Sequence, residues 1–192
     1  MFSEIPIHAA GSRLEHCTDY CVVSYAPTLG ALIARQDEYR PLRRLEAQIL
    51  LAAVPQPYMM NPLPGAIAEL HAIKAIVPPA QVISIPVVPS LKTIHGSALC
   101  KDVLHHIPQS HILHLACHGH AKTSNALQSG FLMADQLLTL TSLMQLNLPN
   151  AFFAFLSACE TAKVERSQAD QAVHLAATMM FAGFKSVIGT MW

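Results

Sequence analysis

The 192-residue chain is 52% hydrophobic, carries only 12% charged residues, and balances 12 basic against 12 acidic side chains for a formal net charge of zero. Soluble domains average about 25% charged residues, yet a chain this apolar and neutral is not disordered, and its length suits one domain with one sizeable core. Without a basic surplus it does not read as a nucleic-acid binder. Its richest apolar stretches, Ile49–Val54 and Ala151–Leu156, stop far short of the roughly 18 apolar residues of a membrane span.

In chain order, an apolar run at Cys21–Tyr25 is expected as a strand. A helix follows over Thr28–Tyr39, opening on a Thr cap with Leu29, Leu32 and Ile33 on one side. Gln48–Ala53 reads as the next strand and the Pro-rich run Pro55–Pro64 as a loop. Ala66–Val77 places Ile67, Leu70, Ile73 and Val77 at helical spacing and halts at Pro78-Pro79. Gln81–Val88 is a strand that Pro86 ends or confines to an edge. Helix Ser97–Ile107 stops before Pro108, strand His111–Ala116 follows, and Gly130–Leu140 reads as a hairpin turning at Asp135-Gln136. Ala151–Ser157 is a strand, Asp170–Phe181 a helix capped by Gly183, and Ser186–Thr190 the last strand. The strands are continuously apolar, as strands covered on both faces are. Their alternation with helices predicts right-handed βαβ units, a mostly parallel sheet and a three-layer α/β/α sandwich.

The start, Met1-Phe2-Ser3-Glu4-Ile5-Pro6, lacks the basic and apolar regions of a signal peptide. Five cysteines (Cys17, Cys21, Cys100, Cys117, Cys159) are odd in number and without framework spacing, which favours reduced thiols and a cytoplasmic or nuclear setting. Nothing near Cys17, Cys21 or Cys100 in the sequence suggests chemistry, so they read as packed thiols. No phosphate-cradling glycine pattern occurs, and no nucleotide cofactor is expected.

In open α/β sheets, sites lie at the carboxyl ends of strands. One predicted strand runs into Cys117-His118-Gly119-His120 and another into Ser157-Ala158-Cys159-Glu160-Thr161. If the two are adjacent and parallel, His118 and Cys159 meet on one rim. A cysteine nucleophile needs an imidazole for proton traffic and backbone N–H groups for the oxyanion. The Gly119 amide can approach a substrate carbonyl closely, and small Ser157 and Ala158 leave room for a peptide beside Cys159. Against this stands a plainer reading: cysteines at strand ends are more often core than catalyst. Cys117 continues its apolar strand and is expected to pack inward. Most of the 11 histidines, among them His71, His105 and His106, read as surface or satisfied core residues.

Four motifs then stand in order: Leu115-Ala116-Cys117-His118-Gly119, Leu156-Ser157-Ala158-Cys159-Glu160-Thr161, Asp170-Gln171-Ala172-Val173-His174-Leu175-Ala176, and Ala182-Gly183-Phe184-Lys185 running on to Met191-Trp192. On these, the stretch from His111 to Trp192 resembles a CHAT domain, the caspase-like domain often joined to tetratricopeptide repeats. Weaker agreement extends upstream through Ser24–Leu29 and Leu63–Ala66. The Gln-Ala-Cys-Arg-Gly motif of caspases proper is absent.

The resemblance implies a caspase-like sandwich and a cysteine endopeptidase of the caspase–separase type, acting on protein or peptide substrates without a cofactor. His118 matches the catalytic histidine and Cys159 the nucleophile; the backbone amides of Gly119 and Cys159 match the oxyanion hole. The histidine would protonate the leaving amine across the substrate, leaving local dipoles and its own charge to lower the thiol pKa. Tetratricopeptide repeats in the same longer chain are the implied partner. Two departures stand out: Gln171 follows Asp170 where the family commonly has an acid, and the chain stops where the family's sheet continues. Residues 1–192 are therefore expected as a single domain, incomplete at its C-terminus. Asp135 and Asp170, with Glu160, are the acids near the expected rim that would favour a basic residue before the scissile bond, and Ser157 lies beside them. The plainer roles are a hairpin turn for Asp135 and a solvated rim carboxylate for Glu160.

Two other readings compete. One is a catalytically silent CHAT module that scaffolds partners or transmits a signal. The other is a metal site built from His111, His114, Cys117, His118 and His120. His118 and His120 can share one side of an extended segment, but His111 and His114 face opposite ways on a strand, and no nearby carboxylate completes a zinc set.

Overall fold

An apolar run becomes an interior strand only where neighbours on both edges take its backbone hydrogen bonds. The computed structural model describes residues 15–21, 33, 40–57, 60–85, 98–120, 122, 125–158 and 169–189. In it, five such runs pair: β1 (Ile49–Ala53), β2 (Val82–Ser84), β3 (Ile112–Ala116), β7 (Phe153–Ser157) and β8 (Ser186–Gly189). The order is β2-β1-β3-β7-β8, and every neighbouring pair is parallel. From β1 the chain moves outward to β2, then crosses back to the other side of β1 as β3. The direction of growth thus reverses between β1 and β3, and the crevice beyond their carboxyl ends is where such sheets bind ligands.

Alternation along the strands assigns the two faces. Leu50, Leu113, Leu115, Ala154 and Leu156 point to one side, each at most 3% exposed, and join the main core. That side is covered by α2 (Cys100–His106), α3 (Leu140–Met144) and α4 (Ala169–Ala182) through Val103, Leu143, Leu175 and Met179. Ala53 and Ala116 point to the other side, where α1 (Pro64–Ile76) seats Ala66, Leu63 and Leu70 against them. Helices on both faces of a parallel sheet make the expected three-layer α/β/α sandwich of caspase-like type.

The helix boundaries follow from local chemistry. α1 starts on Pro64, whose missing N–H costs nothing in a first turn, and ends before Pro78-Pro79. α4 ends at Gly183, with φ of 132°. The Gly183 and Phe184 amides donate back to the Met180 and Met179 carbonyls at 3.2 and 3.1 Å, and buried Phe184 packs beside the helix end, a Schellman cap.

Several boundaries and one layer differ from expectation. Of the strand expected at Gln81–Val88, Val82–Ser84 pairs with β1 at the sheet edge, and residues 86–97 lie outside the described ones. The helix expected from Ser97 begins at Cys100, where the Asp135 carboxylate accepts the Cys100 N–H at 2.8 Å. Of the strand at Cys21–Tyr25 and the helix at Thr28–Tyr39, only Cys21 and helical Ile33 lie within the described residues. The expected hairpin is present as β5 (Gly130–Leu132) and β6 (Leu137–Thr139), but a third strand, β4 (His118–His120), pairs antiparallel with β5. The short α3 was not expected; the Thr139 hydroxyl caps it by accepting the Ser142 N–H at 3.2 Å. Among the described residues, no helix is long and apolar enough to cross a membrane.

Two glycines give opposite expectations. A Cβ on Gly130 would lie 2.1 Å from the Leu138 carbonyl oxygen, in the backbone of β6, whereas one on exposed Gly65 would meet nothing within 4 Å. Gly130→Ala should cost about 3 kcal/mol, and Gly65→Ala in the first turn of α1 should stabilise by about 0.5 kcal/mol. Urea unfolding of the two variants checks both signs.

Candidate active site

β3 ends at Ala116, and the chain leaves the large sheet through Cys117 to begin β4 with His118. The strand's alternation continues across this junction. Cys117 joins the main core at 1% exposure, and burial pushes its thiol up to about 12, which makes it a poor nucleophile at neutral pH. Its inward packing is as expected from the sequence.

His118 is fully buried. Its Nε2 lies 2.7 Å from the backbone carbonyl oxygen of Asn61. A carbonyl can only accept, so Nε2 carries the proton, and in the neutral ring Nδ1 is the basic nitrogen. Asn61 belongs to the Pro-rich loop between β1 and α1. That loop is tied at its ends: Val54 N–H donates to the Ala116 carbonyl at 2.9 Å, and Leu63 N–H to the Pro55 carbonyl at 2.7 Å. Pro62 further restricts Asn61 to extended conformations. A loop closed by these hydrogen bonds thereby holds one ring nitrogen of His118 by a main-chain atom.

Gly119 is buried in β4 opposite Phe131, and a Cβ there would sit at an ordinary 3.7 Å from Leu175 Cδ1. A cavity of about 580 Å³ opens at the carboxyl ends of β1 and β2, with Ala53, Pro55, Pro62, Leu70 and Lys74 in its wall. It shares the Asn61 loop with His118.

On the α1 side of the sheet lies a polar cluster that the sequence reading did not single out. Glu69 Oε1 accepts the Ser157 hydroxyl at 2.9 Å, and Oε2 lies 3.2 Å from His114 Nε2. One carboxylate thus ties α1 to β3 and to the last residue of β7. The His114 ring stacks on Phe155, the residue paired with it in β7, at 5.2 Å between centroids. Burial holds the pKa of His114 below its ordinary 6.5, with the Glu69 carboxylate pulling the other way. The sequence signal was a break in pattern: Glu69 lies on the Ala66–Leu70–Ile73 stripe of α1, where an apolar residue belongs.

The remaining expected site residues are placed as follows. Ser157 ends β7 in register with Ala116, so the strands leading to His118 and to Cys159 are adjacent and parallel. Cys159 and Glu160 lie outside the described residues, and Asp170 stands in the first turn of α4. Asp135 sits in the β5–β6 turn with its carboxylate engaged by Cys100 N–H. The five residues of the metal reading do not converge: His111 Nδ1 accepts the Gln48 N–H at 3.2 Å, His114 faces Glu69, and Cys117 faces the opposite core. Among the described residues, no group of three or more His, Cys, Asp or Glu could hold a metal ion.

A parallel α/β/α sandwich with a buried, main-chain-anchored histidine at its switch point defines the class: a caspase-like α/β domain. The chain belongs to the CHAT domain family, a family related to caspase-like cysteine peptidases, whose profile matches residues 2–192. Among curated proteins, none matches the chain.

Two outcomes are expected here. Glu69→Ala strips the acceptor from a buried imidazole N–H and from Ser157, and should cost about 2 kcal/mol. Glu46→Ala breaks the Glu46–Arg43 pair at 3.5 Å, whose side chains are 61% and 81% exposed, and should cost at most about 0.5 kcal/mol. Urea midpoints of the two variants test that contrast. For His114, the unfolded chain binds a proton as pH falls through about 6.5 while the native state resists it. Stability should therefore decline on acidification from that point down to the lower folded-state pKa. His114→Gln should flatten part of the decline, and an unchanged slope would assign it to other groups.

Proposed function

We propose that this domain is a cysteine endopeptidase that cleaves protein or peptide substrates with Cys159 as nucleophile and His118 as proton carrier. The observation that carries this reading is the His118–Asn61 contact: a general acid–base imidazole needs a fixed tautomer, and a main-chain carbonyl supplies it here. Family membership and the adjacency of the two strands leading to His118 and Cys159 support it further.

In this reading the Cys159 sulfur attacks the scissile carbonyl, and the oxyanion takes hydrogen bonds from the backbone amides of Gly119 and Cys159. Nδ1 of His118 takes up the proton that the Cys159 thiol gives up and delivers it to the leaving amine; water then hydrolyses the thioester, releasing the acid and restoring the thiol. Ser157 borders the scissile bond, and the cavity beside the Asn61 loop, within the usual range for ligand sites, receives a substrate side chain. The Asn61 carbonyl stabilises the charged imidazolium while it holds a proton.

One observation favours a second reading, a CHAT module that signals without cleaving: His118 is 0% exposed, so a substrate cannot touch it in this arrangement. The peptidase reading requires the rim to open when substrate binds. Both are tested by incubating wild type, Cys159→Ala and His118→Ala with a peptide library under reducing conditions and reading products by mass spectrometry. Cleavage that falls by at least about 1,000-fold in each variant supports the dyad. Equal cleavage by wild type and Cys159→Ala overturns it, and no cleavage by wild type favours the signalling module.

A further inference from the structure

Two of the cysteines expected as packed thiols are not packed. Cys17 opens a short 3-10 helix, Cys17–Asp19, and the chain then turns so that the Cys21 N–H donates to the Cys17 carbonyl at 3.1 Å. Asp19 braces the turn by accepting the His16 N–H at 2.7 Å. The result is a pair of thiols with Sγ atoms 3.4 Å apart, Cys21 exposed and Cys17 partly so. Cys100 and Cys117, by contrast, are buried. A disulfide requires the sulfurs to close to about 2.05 Å, a step that side-chain rotation can accomplish while the turn stays formed.

We propose that Cys17 and Cys21 are a redox modification site, a dithiol that closes reversibly to a disulfide with small-molecule disulfides such as oxidised glutathione as the oxidant. The thiolate of exposed Cys21 attacks one sulfur of glutathione disulfide; that S–S bond breaks and one glutathione leaves as thiolate. Cys17, having given its proton to solvent, attacks the Cys21 sulfur of the mixed disulfide, and the second glutathione leaves. Both departing thiolates are protonated, the two cysteines have lost two electrons, and glutathione disulfide has gained them. The geometry orders the steps. In the dithiol, the Cys17 thiol is held above its ordinary range chiefly by its hydrogen bond with Cys21. That hold disappears once Cys21 carries glutathione, so Cys17 becomes the better nucleophile when it is needed. Joining residues only four apart removes little freedom from the unfolded chain, which suits a reversible mark better than a structural staple.

The test uses the full chain equilibrated in graded mixtures of reduced and oxidised glutathione, followed by thiol alkylation, tryptic digestion and mass spectrometry. Arg13 and Arg35 release residues 14–35 as one peptide holding both cysteines. The expected product is that peptide lighter by two hydrogens, without label and without glutathione. In Cys17→Ser, which lacks the resolving thiol, Cys21 should retain glutathione, and half-modification should need at least about tenfold more oxidant. Native protein should also close the pair more readily than the same chain in concentrated urea. Glutathione retained on wild-type Cys21, alkylation of both thiols at every ratio, or equal closure in urea would each overturn the proposal. None of these readouts depends on His118 or Cys159.

Discussion

The structure depends on the complete enclosure of β3. It has a strand on each edge and packed layers on each face, so any polar group it carries must find its partner inside the protein. On one face the requirement is met trivially, by Leu113 and Leu115. On the other it is met by exception, because His114 occupies a core position and recruits Glu69 from α1. Enclosure in low dielectric explains both why His114 is held neutral and why a carboxylate was drawn onto the apolar stripe of a helix. The same carboxylate reaches Ser157, so the end of β7 is held by the group that serves the middle of β3.

That arrangement bears on the proposed chemistry because the strand ends form the rim on which the proposed dyad lies. β3 and β7 are paired in register as far as Ala116 and Ser157. Chain segments some forty residues apart thus end side by side on one rim. The Nε2 atom of the histidine is then held by a loop carbonyl, that of Asn61. A main-chain carbonyl has no charge to be desolvated, and the loop's proline content and its Leu63–Pro55 closure lower the entropy that must be given up to hold it. Cys117, next to His118 in sequence, is excluded by the pleat alone: one residue's difference sends it into the opposite core.

Legibility from sequence divided along the range of the forces involved. The strands at Gln48–Ala53, His111–Ala116 and Ala151–Ser157, the helix beginning near Ala66 and the Gly183 cap could be read from runs of apolar residues and punctuation by Pro and Gly, which act over a few residues. Strand β4 could not, because His118-Gly119-His120 has no strand-like composition and is extended only where Gly130–Leu132 offers it a ladder. The start of α2 moved for a similar reason: its cap is Asp135, thirty-five residues away in the chain. Cys17 and Cys21 were misjudged as packed thiols because a local turn, closed by backbone hydrogen bonds, leaves them at the surface.

For the site, the amino-acid order alone determined the two strand ends that run into His118 and Cys159, the small residues Ser157 and Ala158, and the motifs shared with the CHAT domain family. Those are local patterns, and side-chain type and spacing carry them without reference to the rest of the molecule. Only the tertiary structure decided that Asn61 holds His118, that Glu69 joins His114 to Ser157, and that the two strands lie side by side. Each of these is a contact between segments separated by more than thirty residues, made by a backbone atom or by a charge in an apolar stripe. The low proportion of charged residues acquires its meaning there as well: beside a sheet enclosed on both faces, the half-exposed Glu69 carboxylate stands where two strands are tied to a helix.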